Sequence, residues 1–304
     1  MIEILLKSKD KPTKLVILEA LKNRMSFSNL DQQNYFNQLK GYEGEIIFES
    51  LTDKLVCDSL VLSDLALKTN NQDFQIDSLL ISKYEIHLLE VKNYRGDYYY
   101  ESNKFLKSDR SEITNPLLQL QRTQSLLRQL LVKLNYTVPI HSSVIFVNPE
   151  FMLYQAPPDL PIIYPSQLNR FIKNLNADQS KLQETQRKLA KDLLSLHSFE
   201  DPYQNLPAYD YQQLRKGITC AACNSLNLNI LHKKCICKLC GYVEDIDSAT
   251  MRAVKEFKLL FPNEKVTTSK IYEWCDIITS KKRIQRILKN NFKLVDVLRW
   301  GYYE

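Results

Sequence analysis

Glu85-Ile86-His87-Leu88-Leu89-Glu90-Val91-Lys92 is the stretch whose reading decides this chain. Ile86, Leu88, Leu89 and Val91 put apolar side chains on both faces of an extended segment, the pattern of a strand buried at the centre of a sheet. Side chains alternate along a strand, so Glu90 and Lys92 point to the same side. A Glu-x-Lys on a solvated strand is an ordinary ion pair worth under about 1 kcal/mol. Charges in a buried strand are different, because they need a partner or a metal. About one hairpin upstream, Gln75-Ile76-Asp77-Ser78-Leu79-Leu80-Ile81 forms a second alternating segment and brings in another carboxylate, Asp77.

Two carboxylates and an ammonium on adjacent strands are the raw material of a divalent-metal phosphodiesterase site. Mg²⁺ (or Mn²⁺) takes hard oxygen ligands and keeps several of its waters, so one or two carboxylates plus a substrate phosphate suffice to hold it. Asp77 and Glu90 are the candidate ligands. Such a metal polarises the phosphate and acidifies a bound water, and Lys92 is placed to orient that water or to offset the charge built up in the transition state.

Outward from these strands, the chain alternates helix and strand signals. An opening strand or helix precedes an amphipathic helix over about 31–52, and strands follow near 59–67, 74–81, 85–93 and 97–100. Asn115-Pro116 starts a long helix carrying Leu117, Leu118, Leu120, Leu126, Leu127, Leu130, Leu131 and Leu134, with Pro at or near its first position. A buried strand is expected over 139–147, and helices over 166–175 and 179–196. The stretch 197–211, with Pro202 and Pro207 and no apolar period, reads as a linker.

Gly41-Tyr42-Glu43-Gly44-Glu45, Gln75-Ile76-Asp77, Glu90-Val91-Lys92-Asn93 and Asn115-Pro116-Leu117-Leu118-Gln119 occur in that order. Together they resemble the nuclease-related NERD domain, a branch of the PD-(D/E)XK nuclease superfamily, over roughly 30–150. The resemblance implies a restriction-endonuclease-like core, a mixed sheet flanked by helices. It also implies that Asp77, Glu90 and Lys92 are the superfamily triad, that Glu45 is the acidic residue of the preceding helix, and that Gln119 is the polar residue of the following one. Gln75-Ile76 stands where the superfamily name has Pro, as it does in the NERD branch. By their own pattern Glu45 and Gln119 are weaker candidates: Glu45 lies in an amphipathic run, and Gln119 shares its helix with Gln121, Gln124 and Gln129.

The second strong motif is Cys220-Ala221-Ala222-Cys223 with Cys237-Lys238-Leu239-Cys240-Gly241. Four thiolates in two Cys-x-x-Cys knuckles suit tetrahedral Zn²⁺, and so small a unit depends on its metal to fold. The pattern resembles a zinc ribbon. Cys235 is a spare thiol that competes with Cys237, and His232 is the less favoured ligand. Beyond it, Thr267-Thr268 and Thr279-Ser280 are helix caps. The second of these helices carries the nucleic-acid candidates Lys281, Lys282, Arg283, Arg286, Lys289 and Lys293, in the style of a helix-turn-helix. The bland alternative is a solvated helix face.

Composition frames these motifs. The 304 residues suffice for two domains. Residues 204–304 hold 17 Lys/Arg against 10 Asp/Glu, while residues 1–203 hold 24 against 25, so the cationic excess lies in the last third. That suits a polyanionic partner. No apolar run is long enough to span a bilayer, the N-terminus does not read as a signal peptide, and cysteines grouped in knuckles suit a reducing compartment, so a cytoplasmic protein with no membrane partner is expected.

The expected architecture is an α/β nuclease-like domain over 1–200, a linker over 201–216, a zinc ribbon over 217–245 and a basic helical module over 246–304. The expected function is Mg²⁺-dependent hydrolysis of phosphodiester bonds, with DNA favoured over RNA by the resemblance. The alternatives are a non-cleaving DNA-binding protein on a nuclease-like scaffold, or a protein-interaction module. A homodimer and a partner ATPase or helicase both stay open, and the chain carries no P-loop of its own.

Overall fold

The computed structural model describes residues 5–7, 11–198, 203–297 and 300–304. In chain order its elements are β1 (Leu5–Lys7), α1 (Thr13–Arg24), α2 (Asn29–Thr52), β2 (Leu60–Thr69), β3 (Gln72–Ile81), β4 (Ile86–Lys92), β5 (Gly96–Glu101), β6 (Lys104–Lys107), β7 (Glu112–Ile113) and α3 (Pro116–Lys133). Then come β8 (Ile140–Phe146), β9 (Phe151–Tyr154), β10 (Ile162–Ile163), α4 (Leu168–Asn176), α5 (Glu184–Ser195), β11 (Leu228–Leu231), β12 (Lys234–Cys237) and β13 (Val243–Asp245). The chain closes with α6 (Ile246–Leu260), α7 (Thr268–Cys275), α8 (Lys281–Asn291), β14 (Leu294–Val297) and β15 (Trp300–Tyr303). The opening segment, left between strand and helix by its sequence, contains one of each.

Contacts divide the chain into two units, Met1–Lys11 with Phe36–Asp201, and Pro12–Tyr35 with Pro202–Glu304. In the first, six strands run in the order β1-β2-β3-β4-β8-β10. β4 pairs antiparallel with β3 and parallel with β8, so it lies inside the sheet, and its two apolar faces meet helices on either side. The β2–β3 hairpin turns on Asn70-Asn71, both with positive φ (49° and 59°), the left-handed pair a two-residue turn requires. On one face Ile86, Leu88, Leu79 and Ile81 pack with Leu120, Leu126 and Leu127 of α3 and Leu189 and Leu193 of α5. On the other, Leu89 and Val91 meet Phe48 of α2 and Leu168 of α4. This is the mixed sheet flanked by helices that the sequence led us to expect, a nuclease-like architecture. A second sheet, β7-β6-β5-β9, adds Phe105, Phe151 and Leu153 to the same core.

In the second unit, α1 supplies Ile17, Ala20 and Leu21 to a core shared with Val254, Phe257, Ile271, Trp274, Ile284 and Leu288. The sequence reading counted α1 with residues 1–200, but its apolar face is satisfied here. Arg24, fully buried at its C-terminal end, donates Nε (3.0 Å) and Nη2 (2.8 Å) to Glu256 and also donates to the carbonyls of Arg215 (2.6 Å) and Gly217 (2.9 Å). Its guanidinium lies 3.9 Å from the Trp274 ring centroid. The described part of the segment read as linker is packed as well. Tyr203 and Tyr209 donate to the carbonyls of Leu259 (2.9 Å) and Leu260 (2.8 Å), and Leu214 is buried. The proline spacing concealed this, because aromatic anchors in an irregular segment leave no period to read. The three-stranded sheet β11-β12-β13 contributes Leu228, Cys235 and Cys237 to that core, so ribbon and helices share one interior.

Candidate metal centres

The β3–β4 ladder ends at Ser78↔Leu89, so one residue further on Asp77 and Glu90 stand opposite each other where the strands part. Parting leaves the Val91 N–H without a β3 carbonyl, and Asp77 Oδ2 accepts it at 2.8 Å. On β3's other side the β2–β3 ladder skips the same level: Asp64 takes a left-handed backbone (φ 56°) between the pairs Ser63↔Ser78 and Leu65↔Ile76. Gln75 Nε2 donates to Asp64 Oδ1 at 2.6 Å. Asp77 is thereby fixed by irregularities in both neighbouring ladders.

Lys92 Nζ donates to Glu90 Oε1 at 2.7 Å and to Gln119 Oε1 at 3.1 Å. Gln119 is held one turn into α3, whose N-cap Asn115 accepts from the Leu117 N–H (2.9 Å) and donates to the Asn103 carbonyl (2.7 Å). The glutamines at 121, 124 and 129 have no part in this network; only Gln119 reaches Lys92. Glu45 sits on α2, partly buried, with its Oε2 shielded from solvent. The helix meets the strand end at Gly44, where a Cβ would lie 2.6 Å from the Cβ of Asn93. Asn93 also donates to the Lys40 carbonyl (3.0 Å) and accepts from Asn148 (3.0 Å). Gly44 and Asn93 stood inside the motifs without a role; the structure makes them the joint that seats α2 beside Lys92.

Glu90 is 2% exposed. Burial and then the Asp77 charge push its pKa up to about 7, against the pull of Lys92 and Gln119. For Lys92, burial works to lower the pKa, but Glu90 and Asp77 outweigh it and the net shift is upward. The site thus holds one ammonium against two opposed carboxylates and is short of positive charge. A hard divalent cation fits that donor set: it supplies the missing charge and takes oxygen ligands.

In the second unit the Sγ atoms of Cys220, Cys223, Cys237 and Cys240 all lie within 4.8 Å of one another. Cys220–Cys240 and Cys223–Cys237 are each 3.6 Å apart. Four thiolates around Zn²⁺ at about 2.3 Å would be spaced about 3.8 Å apart, so the cluster is sized for zinc. Each knuckle's first cysteine accepts an N–H two residues on, Ala222 to Cys220 and Leu239 to Cys237, both at 3.4 Å. Backbone N–H groups of Cys240 and Leu239 bring the Cys237 thiol down to about 6, although burial opposes them. Cys235 is outside the cluster, buried, with burial raising its thiol to about 11. His232 occupies the β11–β12 turn with φ 54° and is likewise outside it. Of the two competing thiols, Cys237 is the one in the cluster.

Of the six basic candidates at the C-terminal end, Lys281, Lys282, Arg286, Lys289 and Lys293 are exposed, and Arg283 is half-buried, donating to the His232 carbonyl at 3.4 Å. Among the described residues no helix is long and apolar enough to cross a membrane.

Residues 40–147 match the family model of NERD, the nuclease-related domain. The motifs that suggested this resemblance in the sequence fall inside that segment. No curated protein and no solved structure matches the chain significantly.

Proposed function

We propose that the nuclease-related segment hydrolyses phosphodiester bonds of DNA with a divalent metal, Mg²⁺ or Mn²⁺, held by Asp77 and Glu90. The observation that carries this reading is the opposition of those carboxylates where β3 and β4 part, with Lys92 bridging Glu90 and Gln119. When bound, the metal supplies Lewis-acid activation of the phosphate and of the attacking water. Lys92 remains an ammonium and positions a water or stabilises developing negative charge; Gln119 fixes its direction. Glu45, brought alongside by the Gly44–Asn93 contact, supports the site from α2. Zn²⁺ on the four cysteines has a structural part, and the cations of the second unit add sequence-independent phosphate affinity.

The test is incubation of the zinc-loaded chain with circular and linear DNA, single- and double-stranded, and with RNA, in Mg²⁺ or Mn²⁺. Glu90→Ala and Lys92→Ala are run beside it. Metal-dependent cleavage abolished in both variants is the expected result, and the circular substrates report the mode of attack. DNA binding without cleavage on any substrate would replace this reading with that of a non-cleaving scaffold.

A further inference from the structure

Helices α6, α7 and α8 with the β14–β15 hairpin form an arrangement the nuclease chemistry does not use. α7 and α8 are joined by five residues that include Asp276 in the left-handed region (φ 54°) and buried Ile278. Thr267 and Ser280 cap the two helices. The hairpin folds back so that Val266, between α6 and α7, bridges Tyr303, whose N–H donates to the Val266 carbonyl at 2.9 Å. This is a helix-turn-helix closed by a wing-like hairpin.

α8 buries Ile284 and Leu288 in the core of its unit, and Ile287 beside them is buried too. Its opposite face carries Lys282, Gln285, Arg286, Lys289 and Asn290, all exposed and spaced i, i+3, i+4, i+7, i+8. No acidic residue occurs between Ile277 and Val295. Among the described residues, the acid paired with this helix from a neighbouring element is Asp247 of α6, 3.5 Å from Arg286 and partly exposed, an ion pair too weak to commit the arginine. Cations at this spacing repel one another, and a polyanion removes that cost. The face also offers what base edges ask for: a guanidinium suits guanine, and side-chain amides suit adenine. It presents no aromatic side chain for stacking, so it is a poor platform for single strands.

We propose that α8 seats in the major groove of duplex DNA, with Gln285 and Arg286 at base edges and Lys282, Lys289 and Lys293 on phosphates. At 11 residues it is about 16 Å long, suited to a groove about 12 Å wide. This deepens the nucleic-acid reading above by naming duplex DNA as the partner of this surface and by adding Gln285, which carries no charge, to the contact residues.

The test uses the full-length, zinc-loaded chain carrying Glu90→Ala, so that DNA stays intact, and measures fluorescence anisotropy on duplex DNA, its single strand and duplex RNA over a salt series. A Lys282→Glu/Lys289→Glu pair on that background should weaken duplex DNA binding at least about 30-fold and flatten the salt dependence by about two counterions. Gln285→Ala and Arg286→Ala should reduce discrimination between duplex sequences selected from a random pool. These side chains are exposed, so unchanged zinc content and thermal midpoint will show that the variants fold. Equal affinity and salt slope in the charge-reversed pair would overturn the proposal, as would single strands or duplex RNA binding as tightly as duplex DNA. Failure of the nuclease reading is separable, since it is read from cleavage by the chain with Glu90 intact.

Discussion

Glu90 is where the demands of folding and of chemistry conflict most sharply. With its pKa raised from 4.5 to about 7, the folded chain keeps a proton there that the unfolded chain has already lost. Between those values the folded state binds more protons, so stability attributable to Glu90 falls as pH rises through this window and is flat above it. The slope is bounded by about 1.4 kcal/mol per pH unit. Glu90→Gln cannot titrate, so in urea melts without added Mg²⁺ the variant should gain on the parent from pH 5 to pH 7.5, whatever its offset at pH 5. A parallel pair of stability curves would mean the carboxylate is ionised throughout. Gly44 offers a second test at this scale. In an open helix Gly→Ala gains up to about 1 kcal/mol, but here the new methyl meets Asn93 at 2.6 Å. We expect Gly44→Ala to lose about 1–3 kcal/mol in the same melts, as overpacking does. A stabilised variant would show that α2 is not seated against the strand end.

Among the elements, those with local signals were legible. β4 declared itself by apolar residues on both faces, α3 by Asn115-Pro116, and the knuckles by their spacing. What escaped depends on partners far away in sequence. Asp64 breaks the apolar run of β2, but only the register with β3 gives that break a purpose. The β14–β15 hairpin is too short for its pattern to outweigh the helix signals beside it, and the packed tyrosines of 203–211 follow no period. For the candidate site, the residue types were legible, while the parting of β3 and β4 that brings Asp77 opposite Glu90 was not. The ribbon yields a prediction of its own. Zn²⁺ should bind at one ion per chain, and Co²⁺ in its place should give the thiolate charge-transfer and visible bands of a tetrahedral sulfur site. Cys237→Ser should weaken or abolish those bands while Cys235→Ser keeps them, because only Cys237 has its Sγ in the cluster. The reverse pattern would reassign the second knuckle.

For the whole molecule, the consequential fact is that the second unit is assembled from both ends of the chain. Ile17, Ala20 and Leu21, with Met25 and Phe27 packed alongside, join a core whose other members come from residues after 202. Arg24 is a buried charge with a bidentate partner, and removing one member of such a pair costs about 3–5 kcal/mol because the other is stranded. A fragment of residues 202–304 would strand Glu256 and expose the apolar surface that α1 covers, even with zinc bound. We therefore expect this fragment to lack a cooperative thermal transition followed by tryptophan fluorescence, and a peptide of residues 12–35 added in trans to restore one. The same peptide with Arg24→Ala should rescue poorly. If the zinc-loaded fragment alone melts cooperatively at the midpoint of the full chain's second unit, α1 is an accessory rather than part of that core. The boundary near residue 200 suggested by the sequence would then mark an autonomous domain after all.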